Sequence, residues 1–159
     1  MKNFKFLAIL FLATSVAMVS CDNTPEPDPD PVKPAVAGKT YIGTTLLTMG
    51  PSTTTLENIV VQILETEYTD TVQVVLKKVK FATAMPEIDI TIPSVFAKKA
   101  GNGYELSAND VIPTAMGGVP APNYIITDLT GNATETTLAL TMKAGSLPLA
   151  YEGVVIAVE

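Results

Sequence analysis

The chain has no histidine, no arginine and no tryptophan, and a single cysteine, Cys21, among its 159 residues. Each absence removes a class of chemistry. Without histidine the commonest proton shuttle and transition-metal ligand are missing, and serine–histidine or cysteine–histidine catalysis is excluded as such. Without arginine there is no planar fork for bidentate contact with phosphate or guanine. The formal charge of −6 also repels a polyanion, so no nucleic-acid partner is expected. One cysteine cannot serve an internal disulfide. Carboxylate pairs, lysines and oxygen-ligand metals remain as possible chemistry, but no group of them rises to a catalytic or metal site. The expectation is a protein that is not an enzyme and needs no cofactor.

Hydrophobic residues make up 47% of the chain and charged ones 16%, ample for one packed interior and too little charge for a disordered chain. No long-period repeat is present, so one folded domain is expected.

Lys2 and Lys5 precede an apolar run, residues 6–19, broken only by Thr14 and Ser15. A positive flank before a short apolar stretch is the layout of a removable secretory signal. The run is shorter than the ~20 residues a membrane-spanning helix needs. It ends in Met18-Val19-Ser20-Cys21, which resembles the lipobox of bacterial lipoprotein precursors, with Met18 where that family usually has leucine. The resemblance implies cleavage before Cys21 and acylation at that cysteine, with diacylglyceryl on its sulfur and fatty chains such as palmitate. Two or more chains, at ~0.8 kcal/mol per buried methylene, hold a protein stably on a membrane. The alternative is a secreted protein with a free thiol. Cleavage leaves eight lysines against sixteen acidic residues, a formal charge of −8.

Residues 22–34 read DNTPEPDPDPVKP, with Pro25, Pro27, Pro29, Pro31 and Pro34 fixing φ and removing backbone donors. Such a segment is extended polyproline II at ~3.1 Å per residue, a tether of roughly 30 Å. Glu26, Asp28 and Asp30 hold it away from anionic headgroups or act as a sorting signal for surface exposure. Alternate prolines prevent this segment from wrapping a calcium ion. The expected organisation is therefore a signal peptide over 1–20, lipidated Cys21 with a linker over 21–38, and a folded domain over 39–159.

Beyond residue 39, short runs of Thr, Val and Ile alternate with turn residues, the pattern of half-buried strands. Strands are expected at 39–49, 55–65, 71–81, 87–92, 103–107, 124–130, 136–143 and 151–158, with at most one helical turn at 95–100. The longest connection, 109–123, contains Gly117, Gly118 and three prolines, and is either a lid or an irregular crossing. The fold class is all-β: an antiparallel up-and-down meander of about eight strands, closed into a barrel or, alternatively, folded as a sandwich. The acylated cysteine, Tyr41-Ile42-Gly43 and the block YIITDLTGNATETTLALTMK at 124–143 resemble the calycin-like, lipocalin-like β-barrel family of bacterial lipoproteins. The Gly-x-Trp motif of true lipocalins is absent, which weakens any transfer of their ligand binding.

Within the domain, Glu65, Glu67 and Asp70 crowd one turn and offer oxygens to calcium, although a solvated hairpin tip is the simpler reading. Glu87 and Asp89 share a strand face at ~7 Å, a spacing compatible with acid–base work, but opposite the isoleucine face. Lys77, Lys78 and Lys80 face an anionic ligand or guard an exposed strand, and Lys98-Lys99 reads as a charged turn. Asp70-Thr71-Val72 resembles the O-glycosylation tripeptide of some bacterial secreted proteins. These readings converge on a lipid-anchored protein of the bacterial outer membrane or cell surface, binding a small apolar molecule, a glycan or a protein. The rivals are a structural subunit of a surface assembly and a carboxylate- or calcium-dependent enzyme.

Overall fold

The computed structural model describes residues 33–80 and 85–156. The expected signal peptide, Cys21 and almost all of the prolines and acids of the tether lie outside these residues. Eight strands form the wall: β1 (Thr40–Met49), β2 (Ser52–Glu65), β3 (Thr71–Val79), β4 (Ile88–Ala100), β5 (Gly103–Ala108), then β8 (Ile126–Ala133), β9 (Thr137–Ala144) and β10 (Leu147–Val155). Two short strands, β6 (Thr114–Ala115) and β7 (Val119–Pro120), and a 3-10 turn at Pro122–Tyr124 occupy the connection between β5 and β8. Every neighbour pair is antiparallel, and β1 pairs with β10, closing the meander into a barrel. The expected meander is present, and closure decides for the barrel over the sandwich.

Alternation places the core. In β9 the residues Leu138, Leu140, Met142 and Ala144 are buried while those between them are exposed, so one face of the pleat is turned wholly inward. The same register carries Tyr41 and Leu47, Ile59, Val61 and Ile63, Val72, Val74 and Leu76, and Leu149 and Tyr151 into the interior. Each such aliphatic side chain contributes about 1.5–3 kcal/mol on leaving water. An eight-stranded barrel is just wide enough for side chains to fill. Here they fill it: Val61, Ile63, Val72, Val74 and Ile92 are each 0% exposed. A lumen wide enough for water would leave these side chains wetted.

The wall curves through irregularities in register, between Gly43 and Thr45 on β1, Val72 and Val74 and again Leu76 and Val79 on β3, and Thr127 and Thr130 on β8. Bulges of this kind bend and twist a sheet enough to close it. The strand β4 runs on to Ala100, where at most a helical turn was expected. The reason is the irregularity opposite Val72 and Val74: Pro93 and Ser94 sit exposed in it, interrupting the alternation that resumes with buried Val95 and Ala97. A proline without an N–H is tolerated at such a site.

The chain enters at the end that carries the start of β1, the end of β10 and the connections 66–70, 101–102 and 134–136. Val36, on the linker side of the expected boundary, is buried in the core there, and Lys33 pairs with Glu65. The far end carries 50–51, 80, 85–87, 109–125 and 145–146.

Candidate functional site

The residues singled out for chemistry are placed separately along the wall. Asp89 accepts hydrogen bonds from the Lys78 backbone N–H and from Lys77 Nζ, both at 3.0 Å. The Lys78 N–H, above all, holds its carboxyl below the ordinary carboxylate range, and burial opposes this only in part. A general acid needs the opposite displacement. Glu87 lies 3.6 Å from Lys80 in a second exposed ion pair. Thus Lys77 and Lys80 face carboxylates of their own chain, and Lys78 takes the bulge between them.

Glu65 is engaged by Lys33, and the 66–70 turn is organised by Thr66, whose hydroxyl meets the Thr71 hydroxyl at 2.7 Å and the Thr71 carbonyl at 2.9 Å. No group of three or more metal-ligating side chains occurs among the described residues. Thr71 is 5% exposed with its hydroxyl engaged, so the tripeptide it belongs to offers no room for a glycan on the folded barrel. Lys98 and Lys99, expected in a charged turn, lie on β4, and Lys99 sits over the Tyr104 ring, 5.5 Å from its centre. Among buried side-chain polar atoms, Thr45 Oγ1 has no partner among the described residues, and a lone hydroxyl in a filled interior is not a site.

Two features of the far end go beyond the sequence reading. The first is how the 109–125 connection, expected as a lid or an irregular crossing, is held: it is tied to the wall on both sides. Val111 and Ile126 exchange backbone bonds of 3.1 and 2.8 Å, and β6 pairs with β4 through Ala115 and Ile90. It thereby covers the edge of β4 beyond the end of β5. Its outer surface is apolar: Ile112, Met116 and Val119 are 47%, 68% and 61% exposed. The signal was visible in a stretch whose one charge, from 109 to 125, is Asp110. The second is β2, which β3 accompanies only from Val60 to Glu65, so that the far half of β2 has no second neighbour among the described residues.

Grooves lie on the outside of the wall. One of about 470 Å³ runs across β1, β9 and β10 between Leu46, Thr141, Pro148 and Ala150, with the 2.8 Å Lys143–Asp128 pair at its margin. The fold therefore defines a class: a closed eight-stranded antiparallel barrel whose described inward-facing residues are packed out of water, with an apolar surface at one end. Comparison of the chain with known protein families, with curated proteins and with solved structures gave no match.

Proposed function

We propose that this is a lipid-anchored bacterial cell-envelope lipoprotein of the calycin-like kind, whose non-enzymatic barrel binds a partner through its outer surface at the far end. The observation that carries the reading is the polarity of the barrel. β1 starts and β10 stops at one end, while Ile112, Met116 and Val119 lie exposed on the connection at the other. Cys21 precedes β1 in the chain, so its tether joins the barrel at the end opposite the apolar connection. A filled interior supports binding on the surface, to a protein or glycan, over capture of a small apolar molecule inside. Exposed apolar residues grouped on one connection mark contact surfaces in soluble domains.

Two measurements test it. Cys21→Ala releases the protein from the membrane fraction and abolishes labelling by palmitate; membrane retention of that variant refutes the anchor. A photo-crosslinking side chain at Met116 captures a partner on intact cells, whereas one at Thr136, at the near end, does not. Capture confined to Thr136 refutes the far-end surface.

A further inference from the structure

The folded domain has no cysteine, histidine or tryptophan, so its four methionines, Met49, Met85, Met116 and Met142, are the side chains most open to a two-electron oxidant. Burial ranks them. Met142 is enclosed in the core, and Met49 and Met85 are half-buried against it, the Met85 sulfur also accepting the Tyr124 hydroxyl at 3.9 Å. Met116 is 68% exposed. Its exposure is built into the backbone. The strands β6 and β7 form a hairpin with Ala115 opposite Val119, and the Gly118 N–H donates to the Ala115 carbonyl at 3.1 Å to close the turn. Met116 occupies that turn at φ 48°, followed by Gly117 at φ 80° and Gly118 at φ 120°. A left-handed backbone is uncommon for a long side chain, and here it holds the thioether out at the tip of the hairpin. Because backbone bonds close the turn, a change at the sulfur leaves it standing.

We propose that Met116 is an oxidation site that switches the far-end surface from apolar to polar. Hydrogen peroxide transfers one oxygen atom to the thioether: the O–O bond breaks, an S–O bond forms, and the sulfur gives up two electrons. The proton of the transferred oxygen passes to the departing hydroxide, which leaves as water. The sulfoxide oxygen accepts hydrogen bonds from water, and burying it against an apolar partner without a donor is costly. From Val111 to Thr127 the chain carries no charge, so one sulfoxide changes the character of the whole patch. Reduction by a sulfoxide reductase, with a dithiol oxidised to a disulfide and water released, restores the thioether. The effect on a partner rests on the far-end contact proposed above, whereas the order in which the methionines oxidise does not.

The test is hydrogen peroxide treatment of intact cells carrying the full-length chain, read first by peptide mass mapping. At partial conversion the sulfoxide of Met116 accumulates at least about tenfold faster than that of Met142 and about threefold faster than those of Met49 and Met85. With a photo-crosslinking side chain at Val119, the same treatment lowers partner capture at least about fivefold, and Met116→Leu removes that loss. Met116→Gln, a polar side chain of similar length, lowers capture without oxidant. The thermal midpoint of the barrel stays within a few degrees throughout. Oxidation spread evenly over the four methionines, or led by another of them, overturns the site. Capture indifferent to full conversion at Met116, or lost equally in Met116→Leu, overturns the switch. No capture before oxidation refutes the far-end contact and the switch with it, while the oxidation order still decides the site.

Discussion

Lys78 holds a left-handed backbone, φ 55°, within β3, a conformation that side chains other than glycine, asparagine or aspartate seldom adopt. Its N–H would face outward without a ladder partner, and Asp89 Oδ1 receives it at 3.0 Å while Oδ2 takes the Lys77 ammonium. One carboxylate thereby fixes a bulge on the neighbouring strand, and this explains an acidic residue in the otherwise isoleucine-rich start of β4. The ion pair is exposed and contributes little, so the backbone bond dominates. Asp89→Ala is expected to cost about 1 kcal/mol and lower the thermal midpoint by about 4 °C. Because the folded-state carboxyl sits below its ordinary value, the stabilisation is full above the ordinary carboxylate range and is lost as pH falls through the lowered value. The difference in melting between wild type and Asp89→Ala should therefore shrink only in strong acid. A difference that persists there would mean that the carboxylate charge is not what holds the bulge.

Between β1 and β10 the ladder brings Gly43 directly opposite Gly153. A Cβ on Gly43 would lie 1.9 Å from the Glu152 carbonyl oxygen, and one on Gly153 2.2 Å from the Tyr151 hydroxyl. The Tyr151 side chain lies over the paired glycines and reaches the Ile59 carbonyl on β2 at 3.4 Å. Gly43→Ala must push backbone against backbone, and a loss of at least about 2 kcal/mol is expected in chemical denaturation. Gly50→Ala, whose Cβ meets nothing within 4 Å, carries only the strain of its φ of 58° and should cost less. Strands with one wet face, such as β9, were legible because burial writes itself as alternation. The first residues of β2 were not, since Ser52, Thr53 and Thr54 are exposed on both faces and carry no apolar period. The far half of β4 was obscured by Pro93 and Ser94 in the bulge. The candidate surface escaped for a related reason: exposed apolar residues in an irregular connection look, in one dimension, like core.

At the scale of the whole barrel, the interior behaves as a dry solid. Tyr41 and Tyr151 project into it, and burial raises both phenols, Tyr41 to about 12 and Tyr151 further still, with Glu135 adding to the first and Tyr41 to the second. A raised folded-state value means that their contribution to stability is complete below the ordinary tyrosine value near 10. It is lost as pH climbs through the folded-state value of about 12. In an ultraviolet alkaline titration, two of the five tyrosines should stay protonated until the barrel opens, and their ionisation should coincide with loss of the β-type dichroism. Tyr41 and Tyr151 ionising near the ordinary tyrosine value with the dichroism intact would show a wet lumen. The joint that completes this solid unites the first and last strands of the barrel, Tyr41 beside Val155 and Ile156 bonded to Thr40 at 2.9 Å. A ribosome or translocation pore must therefore release the barrel through β10 before the final pairing can form. Until then, the newborn sheet waits with both margins bare, at its most exposed to chaperones and proteases and its slowest to mature.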